Sequence, residues 1–154
     1  MKIVLASNNR GKLAELSALL TPLGFELVPQ GELGVSEADE PHPTFVENAL
    51  AKARHASRAT GLPALADDSG LTVPALGGAP GVLSARYATL FGRPRGDEQN
   101  NACLVEQLAQ LPTTAAAHRA AFVCVLAAVR TDHDPLPLLA QGLWWGQIVA
   151  ALRT

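Results

Sequence analysis

Residues 7–12 combine polar side chains, a glycine and a lysine in a way that suits phosphate binding. They follow a short β-prone run at residues 2–6 and precede leucines at helical spacing, so they lie where a helix begins. Backbone N–H groups at a helix start lack partners and attract anions, and a lysine one turn in adds positive charge. An ordinary polar turn with a solvated lysine is the alternative. The residues of this segment are Ser7, Asn8, Asn9, Arg10, Gly11 and Lys12.

Two adjacent carboxylates form a second candidate. Asp67 and Asp68 come directly after a short apolar run at residues 64–66, and Ser69 and Gly70 follow them. Carboxylates next to a buried strand are costly unless they accept hydrogen bonds or bind a metal. Adjacent side chains point different ways, so we expect one of the two to be structural and the other to face the site. Such carboxylates suit Mg²⁺, which also binds substrate phosphates, whereas an Asp-rich turn is the alternative.

An acidic loop offers further oxygen ligands. Glu37, Asp39 and Glu40 lie in residues 31–43, a stretch rich in glycine and proline. Taken alone, an acidic loop of this kind is explained more simply by exposure to solvent than by metal binding. The histidines and cysteines show no metal-ligand spacing. A phosphate-binding segment at residues 7–12, together with a carboxylate suited to Mg²⁺, therefore predicts an enzyme that acts on a nucleotide or another phosphoester.

The first half of the chain alternates between strand and helix. We predict strands at residues 2–6 and 25–29, with a helix between them that ends at Gly24. Thr44 and Glu47 have the spacing of a capping box, which begins a second helix that runs to about residue 60.

The second half predicts one more helix and a pair of strands. The helix covers residues 98–111 with Asp97 as its N-cap, and a long strand at 120–129 has a hairpin partner at 136–144. Strands that alternate with helices and then pair as a hairpin predict an α/β fold with a mixed sheet, in a single domain over residues 1–154.

The composition excludes several classes of protein. The chain has 154 residues, of which 48% are hydrophobic, and a net charge of −2, which argues against disorder and against binding to nucleic acid or a membrane surface. The longest apolar run, residues 120–129, is too short to span a membrane. Cys103 and Cys124 have apolar neighbours, so we expect both to be buried in a protein of the reducing cytoplasm.

Six short motifs in a fixed order resemble the inosine triphosphate pyrophosphatase family, which comprises XTP/dITP diphosphatases. The match continues through nearly the whole chain, to the Trp-x-Gly-x-Ile segment that ends at Ile148. Six ordered motifs are far more specific than one glycine-containing loop. The motifs occupy residues 7–12, 44–49, 52–53, 66–71, 76–81 and 84–87.

The resemblance implies an elongated mixed β-sheet flanked by helices, with two lobes around a central cleft. It also implies a homodimer that hydrolyses dITP, ITP or XTP to the monophosphate and pyrophosphate with Mg²⁺. By the same resemblance, residues 7–12 hold the triphosphate and Ser69 contacts the substrate. Asp68 is then the general base and a Mg²⁺ ligand, and Glu40 is a further ligand, with Asp39 and Glu37 as alternatives. Arg86 either contacts phosphate or pairs with an acidic loop.

The end of the sequence departs from the family pattern. Family members continue into a glycine-rich Phe-Gly-Tyr-Asp loop, a lysine and a His-Arg pair that contribute to base recognition, whereas Ile148 is followed here only by Val149–Thr154. We therefore expect an incomplete purine pocket, from truncation, a frameshift or an omitted segment, and an intact phosphate and metal half. Two alternatives stay open: a septum-formation-like pyrophosphatase acting on pyrimidine nucleotides, and a non-catalytic nucleotide-binding remnant.

Overall fold

The computed structural model describes residues 1–149. Most of the C-terminal segment Val149–Thr154, where the sequence departs from the family pattern, therefore lies outside the described residues. The described part folds into strands and α-helices joined by loops and 3-10 turns. The strands are β1 (Lys2–Leu5), β2 (Glu26–Pro29), β3 (Ala64–Thr72), β4 (Arg119–Val129) and β5 (Leu138–Gln147). The α-helices are α1 (Arg10–Leu20), α2 (Phe45–Thr60) and α3 (Asp97–Leu108).

The strands form one mixed sheet in the order β2-β1-β3-β4-β5. The strand β1 pairs in parallel with β2 and with β3, and Val4 stands opposite both Val28 and Ala64. Parallel neighbours need a crossover, which α1 and α2 supply. The strands β4 and β5 follow each other in the chain and are adjacent in the sheet, as the hairpin prediction requires. The predicted α/β class with a mixed sheet is confirmed.

Contacts divide the described chain into two compact units. The first comprises residues 1–68 and 125–141, and the second comprises residues 69–124 and 142–149. The core of the first unit is built from small residues, because Ala53 and Ala56 of α2 are fully buried beside Ala64 and Ala66 of β3. The core of the second unit is larger in side-chain volume and includes Leu104 and Leu108 of α3.

Local signals correctly predict the second helix. The hydroxyl of Thr44 accepts a hydrogen bond from the backbone N–H of Glu47 (3.2 Å) and donates one to the Glu47 carboxylate (2.7 Å). The first of these is the N-cap bond of a capping box; in the second, Glu47 accepts from the Thr44 side chain rather than from its backbone. Gly61 ends α2 in the left-handed region at φ 70°.

Three predictions need correction. Asp67 and Asp68 lie inside β3 rather than after a strand, because their tertiary contacts outweigh the low strand propensity of aspartate. Gly96, not Asp97, is the N-cap of α3, and its φ of 143° favours glycine. Cys103 is buried but Cys124 is exposed, since alternate residues of β4 face opposite sides and Val123 and Val125 occupy the buried side.

None of the helices within residues 1–149 is both long enough and apolar enough to cross a membrane.

Candidate active site

The segment between β1 and α1 presents hydrogen-bond donors. Asn9 is the N-cap of α1, and its Oδ1 accepts from the backbone N–H of Lys12 (3.1 Å). Oγ of Ser7 accepts from the backbone N–H of Asn9 (3.0 Å), and Oδ1 of Asn8 accepts from the backbone N–H of Gly31 (3.1 Å). With their oxygens engaged in this way, the three side chains offer O–H and N–H groups to a ligand. The first backbone N–H groups of α1, those of Arg10 and Gly11, add to this set, which suits an anion.

The side chain of Lys12 is paired with Asp67. Nζ of Lys12 donates to Oδ2 of Asp67, whose side chain is 5% exposed. A buried carboxylate needs such a partner, because an unpaired buried charge is strongly unfavourable. The pair also ties the first turn of α1 to β3. The structure therefore places Lys12 against a carboxylate, in addition to the phosphate role that the sequence predicts for it.

Asp68 has different surroundings, although it is the next residue along the chain. Its Oδ1 lies 3.8 Å from Nζ of Lys52, and the same ammonium is 2.8 Å from Oε1 of Glu40. Its Oδ2 is buried and has no hydrogen-bond partner among the described residues. One oxygen of this carboxylate thus remains available to a ligand inside the protein.

The electrostatics of Asp68 follow from that geometry. Burial raises its pKa from 3.8 to about 6, because the carboxylate loses contact with water. The positive charge of Lys52 opposes this rise, the negative charge of Glu40 adds to it, and the nearby side-chain amide of Asn48 lowers the pKa again. The group is therefore largely ionised at neutral pH and close enough to its pKa to accept a proton.

The two carboxylates that Lys52 brings together suit a divalent cation. An ionised carboxylate with an unpartnered oxygen is a hard oxygen ligand, which Mg²⁺ prefers. Within residues 1–149, no three His, Cys, Asp or Glu side chains form a group that could hold a metal ion by themselves. That is compatible with Mg²⁺, which commonly takes one or two carboxylates together with substrate phosphates and water. Glu37 and Asp39 are exposed and take part in no ion pair of the described residues, whereas Glu40 reaches Lys52.

Lys52 and Asn48 have no role predicted from the sequence. They are four residues apart on α2, so they lie on one side of the helix beside the buried alanines. Asn48 is fully buried, and its side chain exchanges two hydrogen bonds of 3.0 Å with the backbone of His42. The sequence signal that could have revealed both residues is an asparagine and a lysine one turn apart, on the same side of the predicted helix as its alanines.

The remaining predicted site residues, Ser69 and Arg86, belong to the second unit and are exposed. Ser69 follows Asp68 directly in β3. Arg86 lies at a kink of the 3-10 segment Gly81–Phe91, with φ −126° and ψ 19°, and takes part in no ion pair of the described residues. Asn100 of α3 holds the backbone on either side of it, accepting from the N–H of Ala88 (2.8 Å) and donating to the carbonyl of Ala85 (3.0 Å).

Comparisons of the sequence with known proteins point to one family. The model of the Ham1 family matches residues 3–154. The chain is 68% identical over 150 residues to a dITP/XTP pyrophosphatase of Bordetella pertussis, covering 97% of this chain and 68% of that protein. It is 67% identical over 152 residues to a dITP/XTP pyrophosphatase of Burkholderia pseudomallei, covering 99% of this chain and 71% of that protein.

Solved structures that resemble this chain belong to the same family as the relatives found by sequence. A HAM1 protein from Coxiella burnetii superposes with a TM-score of 0.91 at 46% identity, covering 99% of this chain and 75% of that one. The Ham1 protein of Staphylococcus aureus gives a TM-score of 0.83 at 34% identity, covering 97% and 72% respectively. The resemblance predicted from the ordered motifs is therefore confirmed: the chain belongs to the Ham1 family.

Proposed function

We propose that this chain hydrolyses the non-standard purine nucleoside triphosphates dITP, XTP and ITP to the monophosphate and pyrophosphate. The observation that carries the proposal is Asp68, a buried carboxylate with an unpartnered oxygen and a pKa of about 6, in the same unit as the donor-rich segment 7–12. The proposal is supported by relatives that are 61–68% identical and carry the name dITP/XTP pyrophosphatase.

Each group has a definite part in this reaction. The O–H and N–H donors of residues 7–12 bind the triphosphate and hold it in place. For Ser69 and Arg86, a substrate contact is implied by the family resemblance alone. Oδ2 of Asp68 accepts the proton of a water molecule as that water attacks phosphorus. The bond between the attacked α-phosphorus and the oxygen that bridges it to the β-phosphorus breaks, and pyrophosphate leaves with the electron pair. Lys52 holds the carboxylates of Asp68 and Glu40 in position.

Asp68 and Glu40 would hold Mg²⁺, which when bound neutralises negative charge on the triphosphate. Lys52 reduces the repulsion between these carboxylates by lying next to both. A cytoplasmic location, which the cysteine usage favours, and a homodimer, which the family resemblance implies, are parts of the same proposal.

Pyrophosphate release from dITP and XTP in the presence of Mg²⁺ tests the proposal. Asp68→Asn should lower kcat by about 10²–10⁴-fold, which is the usual contribution of a general base. Asp97→Asn, at an exposed aspartate of α3 in the second unit, is the matched control and should retain the wild-type rate. Equal rates for wild type and Asp68→Asn would refute the role of Asp68. A preference for dTTP or UTP over dITP would instead indicate a pyrimidine-specific enzyme.

A further inference from the structure

Asn8 is held by a residue far along the chain. Its Oδ1 accepts a 3.1 Å hydrogen bond from the backbone N–H of Gly31, which lies 23 residues away in the 3-10 turn Gln30–Leu33. Ser7 and Asn9, in contrast, use their side-chain oxygens on N–H groups within three residues. Asn8 is exposed, so packing does little to fix its side chain and this bond is what orients it.

The orientation of the Asn8 side-chain amide determines whether its oxygen or its nitrogen faces a ligand. A side-chain amide has one oxygen that accepts and one nitrogen that donates twice. Since Gly31 engages the oxygen, the nitrogen is the atom that remains, and the described residues include no hydrogen bond from Nδ2 of Asn8. The opposite orientation would present the oxygen to a phosphate and repel it.

Position 31 also needs glycine for a steric reason that involves Asn8. A Cβ atom at this position would lie 2.8 Å from Oδ1 of Asn8 and 3.5 Å from its Cγ. The backbone of Gly31 is not in the left-handed region, so its own torsion angles would accept alanine. The close approach of the Asn8 amide is therefore what restricts residue 31, and a methyl group there would displace the end of a flexible side chain rather than a packed core.

We propose that Gly31 is a positioning residue that turns the amide nitrogen of Asn8 toward the triphosphate. This inference rests on the proposed function, because it assigns Asn8 a phosphate contact in that site. Gly31 itself contacts no substrate. It acts through one N–H group, which fixes the amide, and through the absence of a side chain, which leaves room for it.

Kinetics of Gly31→Ala with dITP test this proposal. The variant should keep the wild-type melting temperature and kcat while KM rises about tenfold, which is the effect of one lost hydrogen bond to a charged group. Gly142→Ala is the matched control, because position 142 has ordinary torsion angles and open space around a Cβ atom. An unchanged KM in Gly31→Ala would overturn the proposal.

A double-mutant cycle shows whether Gly31 acts through Asn8. Asn8→Ala alone should raise KM, and adding Gly31→Ala to it should have no further effect, because the side chain that the methyl group would displace is gone. An equal rise in both backgrounds would overturn the proposal, since Gly31 would then act on something else.

Binding of inorganic tripolyphosphate, measured by calorimetry on the same variants, separates the two proposals. A wild-type chain that binds tripolyphosphate about tenfold more tightly than Gly31→Ala but does not hydrolyse dITP would refute the proposed function and support the role of Gly31. A wild-type chain that neither binds tripolyphosphate nor hydrolyses dITP would refute both.

Discussion

Two aspartates of the first unit are similarly buried and have opposite surroundings. Asp68 is 7% exposed and Asp134, in the turn between β4 and β5, is 3% exposed. The carboxylate of Asp134 accepts three hydrogen bonds from Arg130 and one from the backbone N–H of Leu136, between 2.7 and 3.0 Å. Mainly because the Arg130 side chain donates to it, the pKa of Asp134 lies well below its usual range.

Asp68 has no comparable set of donors. Lys52 approaches one of its oxygens only to 3.8 Å, and the other oxygen has no partner among the described residues. Burial therefore dominates and raises its pKa to about 6. Hydrogen-bond donors therefore dominate the pKa of Asp134, whereas burial dominates the pKa of Asp68. The carboxylate of Asp134, whose oxygens both accept hydrogen bonds, holds a turn together, and that of Asp68 has one oxygen without a partner among the described residues.

Asp68→Asn should give the largest change in stability. Because folding raises the pKa of Asp68 above 3.8, the protonated form is favoured in the native state, and that stabilisation is lost as pH rises through about 6. The amide never ionises, so the variant should exceed wild type in free energy of unfolding by about 1–3 kcal/mol near pH 8, and the gain should shrink toward pH 4.

Urea unfolding without divalent cations, at both pH values, measures this difference. Asp97→Asn is again the control, and its stability relative to wild type should not follow the titration of Asp68. A variant of Asp68 that is no more stable than wild type near pH 8 would mean that burial does not dominate at this carboxylate.

Lys12→Met tests the intermediate case, in which Asp67 depends on a single side-chain donor. Removal of the ammonium leaves the buried carboxylate without its partner and should lower the free energy of unfolding by about 2 kcal/mol. Combining it with Asp67→Asn should restore most of this loss, since a neutral amide is less unfavourable when buried. Lys2→Met, at an exposed lysine of β1, is the control for urea unfolding. Equal stability of Lys12→Met and Lys2→Met would show that Asp67 does not need Lys12.

Asp134→Asn should have the smallest effect and the opposite sign from Asp68→Asn. The amide keeps one accepting oxygen, so we expect the melting temperature to fall by only a few degrees at neutral pH. Since the pKa of Asp134 is lowered by folding, its stabilisation is present above the unfolded-state pKa and is lost as pH falls through the folded-state value. Thermal unfolding near pH 7 and near pH 3 should show the gap to wild type closing in acid, and a gap that widens in acid would contradict this account.

Element prediction succeeded where the signals are local. The helix α2 begins after Thr44 and ends before Gly61 as expected, because helix ends depend on donors and torsion angles within about four residues. It failed for Asp67 and Asp68, which by propensity end a strand and in the structure continue β3. The contact that stabilises Asp67 there comes from Lys12, 55 residues away, and no window along the sequence contains it.

The amino-acid sequence by itself determined the α/β class, the ends of α2 and the family, since alternation, capping residues and ordered motifs are all visible along the chain. Only the tertiary structure decided which partner each site residue has. Lys12 pairs with Asp67, Lys52 joins Glu40 to Asp68, and Gly31 orients Asn8. These contacts depend on distances of a few ångströms between segments that are far apart in the chain, and those distances exist only once the strands and helices have packed.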